Sequence, residues 1–289
     1  VDDARQRRLI VTADDFGADV AVNEAVEQGH IHGILTAASL MVAGPAAANA
    51  VARARRLPSL GVGLHLVLVE GQPMLPPRKV PDLVGQDGHF RTDMARLGAA
   101  IFFRPKVRAQ VRAEIEAQFA AFAATGLPLD HVNAHKHFHL HPTIAGLILE
   151  IGRRYGLKAA RAPIEPVALL NAIEPTRLGL AGVIAAPWAK AVGRRFRRAG
   201  LVVPDRVFGL AWSGAMTRDR VAALIERLPA GLTEIYTHPA TADHYSGSAE
   251  GYRYRQELAA LTDPAIRNEM AREGIILGSF AEHGKRRTA

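Results

Sequence analysis

Short apolar runs rich in β-branched residues recur along the chain at 8–13, 37–42, 61–66, 130–134, 158–161, 206–210, 234–237 and 275–279. Between them, at 19–29, 45–56, 106–125, 142–155, 216–228 and 250–273, apolar residues return at helical spacing. This alternation predicts repeated β–α units built on a parallel sheet. Seven or eight strands suit an α/β fold of the irregular, TIM-barrel-like (β/α) barrel type. An open doubly wound sheet is the alternative, since periodicity carries no information about closure. No Gly/Ser/Pro-rich linker interrupts the pattern, so residues 1–289 are expected to form one domain.

Two stretches depart from the rhythm. Residues 70–95 carry Pro73, Pro76, Pro77, Pro81, Gly85 and Gly88 and read as a long loop on the side where such folds keep binding elements. Residues 166–204 read as an irregular insertion, with an apolar run from Leu178 to Trp188 followed by Arg194, Arg195, Arg197 and Arg198. That run is far short of the roughly 20 apolar residues a membrane span needs. It suits a buried helix with a solvated basic end, a membrane-surface attachment, or an apolar groove for a lipid-like substrate.

Composition narrows the chemistry. The chain has no cysteine, so disulfides, thiolate metal ligands and cysteine nucleophiles are excluded, and any metal must be held by His, Asp or Glu. A net charge of +8 permits attraction to nucleic acid or to anionic membranes. Aromatics are only 6% of residues, and no RNA-binding consensus, zinc finger or helix-turn-helix is present, which argues against nucleic acid. The first residues lead directly into a strand pattern without the apolar region of a signal peptide, so a cytoplasmic location is expected.

The candidate chemistry gathers at predicted strand ends, the catalytic face of a β–α fold. The first strand closes with Asp14-Asp15-Phe16-Gly17, although Asp15 or Asp19 could instead cap the following helix. The third ends at His65, which alone also fits a satisfied core histidine. The fourth enters a tract holding His131, His135, His137, His139 and His141. One strand through all five would reach about 33 Å, so the strand must end near His135, with Pro142 opening a helix. His135 and His137 are then nearest the mouth. Asp15, His65 and His135 would supply a carboxylate and two imidazoles, a set suited to a divalent ion, leaving Asp14 free to accept a proton. A further strand end places His238 on the same face as a candidate general acid. Arg161 would orient Asp14 or bind substrate oxygen.

The motifs Thr-Ala-Asp-Asp-Phe-Gly at 12–17, Gly-Leu-His-Leu at 63–66, the histidine tract at 131–139 and Thr-His-Pro-Ala at 237–240 together resemble the YdjC-like carbohydrate deacetylases. The resemblance implies a (β/α)-barrel-like fold and metal-dependent hydrolysis of an N-acetyl group from an amino sugar. It places the metal ligands on Asp15, His65 and His135, the catalytic base on Asp14 and the acid on His238. The expected cofactor is one divalent ion, zinc first and magnesium or another as the alternative. One departure is Asn133, where family members often carry Asp; it has no carboxylate with which to steer a ligand imidazole.

Within the family the chain is most similar to the hopanoid biosynthesis-associated branch, through its Arg-rich segment and Phe208-Gly209-Leu210-Ala211-Trp212-Ser213-Gly214. That similarity implies an N-acetylglucosaminyl hopanoid as substrate and peripheral contact with the inner membrane surface. The alternatives are a chitooligosaccharide deacetylase, a metal-dependent phosphoesterase or other amidase, and a peripheral lipid-binding protein without activity.

Overall fold

The computed structural model describes residues 6–176 and 180–286. Its centre is a seven-stranded parallel sheet formed by β1 (Arg7–Phe16), β2 (Ala37–Leu40), β3 (Gly61–Leu66), β4 (Val132–Ala134), β5 (Arg206–Phe208), β6 (Gly231–Thr237) and β7 (Ile276–Leu277). The order is β4-β3-β2-β1-β6-β5, with β7 also paired to β1. The sheet curls into a half-barrel, in agreement with the expected (β/α)-barrel class. Between its edge strands the expected strand at 158–161 forms only isolated bridges, Val132 to Ala160 and Ala159 to Val202.

Strand alternation sorts the residues of β1. Leu9, Val11 and Ala13 face outward into the main apolar core beneath the helices. Ile10, Thr12 and Asp14 face inward. Ile10 joins Ala37, Ala159, Leu232 and Phe280 in an apolar plug at the base of the curl. Above that plug the inward positions are polar: Thr12, Ser39, His65, Asn133 and Glu234 are all buried. Apolar side chains therefore fill one end of the barrel and leave the other for chemistry.

The helices are α1 (Val20–His32), α2 (Ala47–Ala54), α3 (Met94–Phe103), α4 (Pro105–Ala124), α5 (Pro142–Arg154), α6 (Val167–Ile173), α7 (Leu180–Arg198), α8 (Arg218–Glu226), α9 (Tyr254–Leu261), α10 (Pro264–Arg272) and α11 (Phe280–Arg286). The helical pattern expected at 250–273 is two helices, because Asp263 caps a new start at Pro264. The insertion at 166–204 is more regular than expected, holding α6 and α7. In its apolar run, Leu178 and Gly179 lie outside the described residues. Among the described residues, no helix is long and apolar enough to cross a membrane.

Candidate active site

Two adjacent carboxylates on a strand should point to opposite sides. Asp14 keeps its inward direction, while Asp15 adopts a left-handed backbone (φ 62°), and the β1–β2 register shifts between Ala13 and Phe16. This kink brings both carboxylates to one cleft. Helix capping falls instead to Asp19, whose side chain accepts from the Ala21 N–H at 2.8 Å. His65 arrives on β3 and pairs in register with Asn133 on β4. As expected, the fourth strand stops at Ala134; His135 opens a 3₁₀ segment in which Lys136 and His137 are both left-handed (φ 51° and 54°).

Asp15 Oδ1 lies 3.2 Å from His65 Nε2 and 3.4 Å from His135 Nδ1. Neither Asp15 Oδ1 nor His65 Nε2 makes a hydrogen bond, although both are buried. Ligand atoms of the three residues lie within 4.8 Å of one another, the one such group among the described residues. Unsatisfied, converging nitrogen and oxygen donors fit a divalent ion.

The protonation of His65 follows from its neighbours. Asp14, ionised, can only accept, so Asn133 turns its Nδ2 toward Asp14 Oδ1 (2.9 Å) and its Oδ1 toward His65 Nδ1 (2.7 Å). Ser39 donates to Asp14 Oδ1 (2.8 Å), and its oxygen stands 3.0 Å from the same His65 nitrogen. His65 Nδ1 therefore carries the proton, leaving the Nε2 lone pair facing Asp15. Asn133 thus steers the imidazole through its amide oxygen, correcting the expectation drawn from its missing carboxylate.

Arg161 lies beneath Asp14 and is wholly buried, so of its two expected roles the structure places it in the orienting one. It donates from Nη1 to Asp14 Oδ2 (2.6 Å) and from Nη2 to Oδ1 (3.0 Å), and from Nε and Nη2 to Glu234 Oε1 (2.9 and 2.6 Å). Burial works to raise the Asp14 pKa, but Arg161 and then His65 outweigh it and hold the carboxyl far below the usual range. Asp15 is likewise held low against burial by His135 and by His65 in its imidazolium form, whose Nε2–H then faces the carboxylate. With Oδ1 taking three donors and Oδ2 one, Asp14 keeps an open acceptor position on Oδ2.

His238 follows β6 and lines the same cleft, with its Nδ1 buried and unpartnered. Glu257 holds its backbone N–H from behind. The other histidines part ways. His137 lines the cleft but points Nε2 at the Tyr236 hydroxyl (2.9 Å) and does not join the candidate ligand group. His139 is buried, His131 pairs with Asp130 (2.9 Å) and stacks on Phe280, and His141 caps α5.

The cleft encloses about 720 Å³, with Tyr236, Tyr245, Tyr252 and Tyr254 among its lining. A second groove of about 730 Å³, largely apolar, meets it at Lys136, His137 and Leu210. Its lining includes Phe102 and Phe138, with Trp188 from the insertion.

Residues 8–272 match the YdjC-like protein family. The chain belongs to that family. A carbohydrate deacetylase of Geobacillus stearothermophilus is 34% identical over 283 residues, covering 96% of this chain and 99% of that protein. A human carbohydrate deacetylase is 32% identical over 296 residues, covering 93% of this chain and 89% of the human one. In structure, a protein of Enterococcus faecalis V583 described as a cellobiose-phosphate cleavage protein shares the fold, with a TM-score of 0.75, 24% identity and coverage of 96% of this chain and 98% of its own. With such relatives over nearly its full length, the chain is a carbohydrate deacetylase, a hydrolase. Ser39, Glu234 and Tyr236, which surround the carboxylates, were not singled out from the sequence. Glu234 carried a usable signal, a lone charge in an apolar strand at the same parity as His238.

Proposed function

We propose that the protein hydrolyses the N-acetyl group of an amino sugar, releasing acetate, and that its substrate is an N-acetylglucosaminyl hopanoid, a sugar carried on a polycyclic lipid. The observation that carries the hydrolytic reading is the convergence of Asp15, His65 and His135 beside an arginine-anchored Asp14. A divalent ion held by those three residues, zinc or alternatively magnesium, would supply Lewis acidity toward the acetyl carbonyl and the attacking water.

The protein's own groups do the rest. Asp14 accepts the water's proton on the open side of Oδ2. Arg161 keeps Asp14 ionised and fixed in direction but lowers its basicity, so the carboxylate takes a proton only from an acidified water. His238 protonates the departing nitrogen, which an amine needs in order to leave. The tyrosines of the cleft offer ring faces and hydroxyls to the sugar. The apolar groove that adjoins the cleft supports a lipid-linked aglycone, and the basic end of α7 supports work at the inner membrane surface.

Acetate release tests the roles. Asp14→Asn should still bind metal but lose turnover by about 10²–10⁴-fold, the usual contribution of a general base. His135→Ala should lose both metal and turnover. Near-normal acetate release from Asp14→Asn would overturn the assignment. Presenting N-acetylglucosaminyl hopanoid and N-acetyl chitooligosaccharides side by side decides the aglycone, since exclusive turnover of the oligosaccharides would remove the glycolipid.

A further inference from the structure

The α3–α4 corner exposes apolar surface that the sequence pattern did not single out. α3 ends at Phe103, Arg104 is extended, and Pro105 opens α4, so the chain turns sharply there. Phe103 is 84% exposed and Phe102 46%, with ring centroids 6.4 Å apart. Across the apolar groove, which Phe102 also lines, Trp188 on α7 is 49% exposed. Two large aromatics thus line one groove, with Phe103 beside Phe102 at the corner.

The two segments that carry them are basic, although Asp93 caps α3 and Glu165 lines the groove. Residues 94–108 contain Arg96, Arg104, Lys106 and Arg108 and no carboxylate; residues 186–198 contain Lys190, Arg194, Arg195, Arg197 and Arg198 and again none. Part of this charge is engaged internally: Lys106 pairs with Asp82, and Arg195 donates to the Pro142 carbonyl. Arg96, Arg104, Lys190, Arg194 and Arg198 lie exposed. Aromatic side chains beside cations match an anionic bilayer, where rings enter the interfacial layer and ammonium and guanidinium groups meet phosphates.

We infer that Phe103 and Phe102 at the α3–α4 corner, with Trp188 on α7, form the edge by which the protein docks on an anionic membrane, the groove mouth facing the lipid. The inference rests on the lipid-linked reading of the substrate and names the surface that reading requires. Phe103 is the informative position, because it is not part of the groove lining and removing it leaves both cavities intact.

Sedimentation with vesicles tests it. Wild type should partition onto phosphatidylcholine–phosphatidylglycerol vesicles more strongly than onto phosphatidylcholine alone, and less so as salt rises. Phe103→Ser should weaken that partitioning about tenfold or more. Arg104→Gln with Arg194→Gln should remove the preference for the anionic lipid. Turnover of a soluble N-acetyl chitooligosaccharide should be unchanged in every variant. Absence of vesicle binding by wild type, or binding indifferent to Phe103→Ser, overturns the inference, as does a concentration-dependent dimer that Phe103→Ser dissolves. Failure to release acetate from any acetylated sugar would instead count against the deacetylase reading and leave the vesicle result standing.

Discussion

Each polar group around Asp14 fixes the proton position of its neighbour. Because an ionised carboxylate accepts only, Asn133 has one available orientation, and His65 in turn has one tautomer with Nε2 left unprotonated. Asn133→Leu, of similar size and without polar atoms, removes that instruction while leaving Asp15, His65 and His135 in place. Zinc affinity, measured by competition with a chromophoric chelator, should fall about 10–100-fold, as for other outer partners of ligand imidazoles. Unchanged affinity would mean that Ser39, the other neighbour of His65 Nδ1, orients the ring unaided.

At the scale of elements, the long, strongly periodic segments were legible and the short irregular ones were not. β3 occurs at 61–66 as expected, since its apolar outer face and the turn residues around it leave little choice. The segment at 158–161 has the composition of a strand, but its neighbours pair with it only at single positions, something no local pattern records. Strand ends named Asp14, Asp15, His65, His135 and His238 because polar residues interrupt apolar runs there. The left-handed kink at Asp15 and the contacts of Arg161 with Glu234 depend on distant chain and stayed hidden. Glu165 was hidden for the same reason: its carboxylate accepts from the N–H groups of Gly209, Leu210 and Ala211 at 2.9, 2.9 and 2.8 Å. It ties down the turn after β5, which brings Leu210 and Ser213 to the cleft. Gly209 is required in that turn, with φ 125° and the Tyr236 carbonyl 2.5 Å from where a Cβ would sit. Glu165→Ala should therefore lower stability in urea by about 1–3 kcal/mol, the penalty for stranding partly buried donors. A midpoint equal to wild type would show that water replaces the carboxylate fully.

For the whole molecule, the polar interior sets the response of folding to acid. His139 sits in the barrel with its pKa pushed by burial, and then by Arg161, from 6.5 down to about 3, and His137 is lowered well below its ordinary value by the same two causes. Below pH 6.5 the unfolded chain takes up protons that these folded imidazoles refuse, so stability falls as pH falls toward the folded value. Other groups also act in this window: His141 is lowered from 6.5 by burial and adds to the decline, whereas Glu257 and Glu165 are raised above 4.5 by burial and oppose it where they take up protons. His65 is raised in the folded state, so its contribution is already complete below 6.5, while Asp14 and Asp15 are lowered and lose theirs only below 3.8. In urea unfolding of chelator-treated protein between pH 6.5 and about 4, each fully refused proton should lower stability by about 1.4 kcal/mol per pH unit, with Glu257 and Glu165 offsetting part of that above 4.5. His139→Gln should reduce the slope by about that amount and leave the share due to His137 and His141. An unchanged slope in His139→Gln would mean that His139 is already protonated in the folded protein, and that Arg161 shares the barrel with a second buried cation.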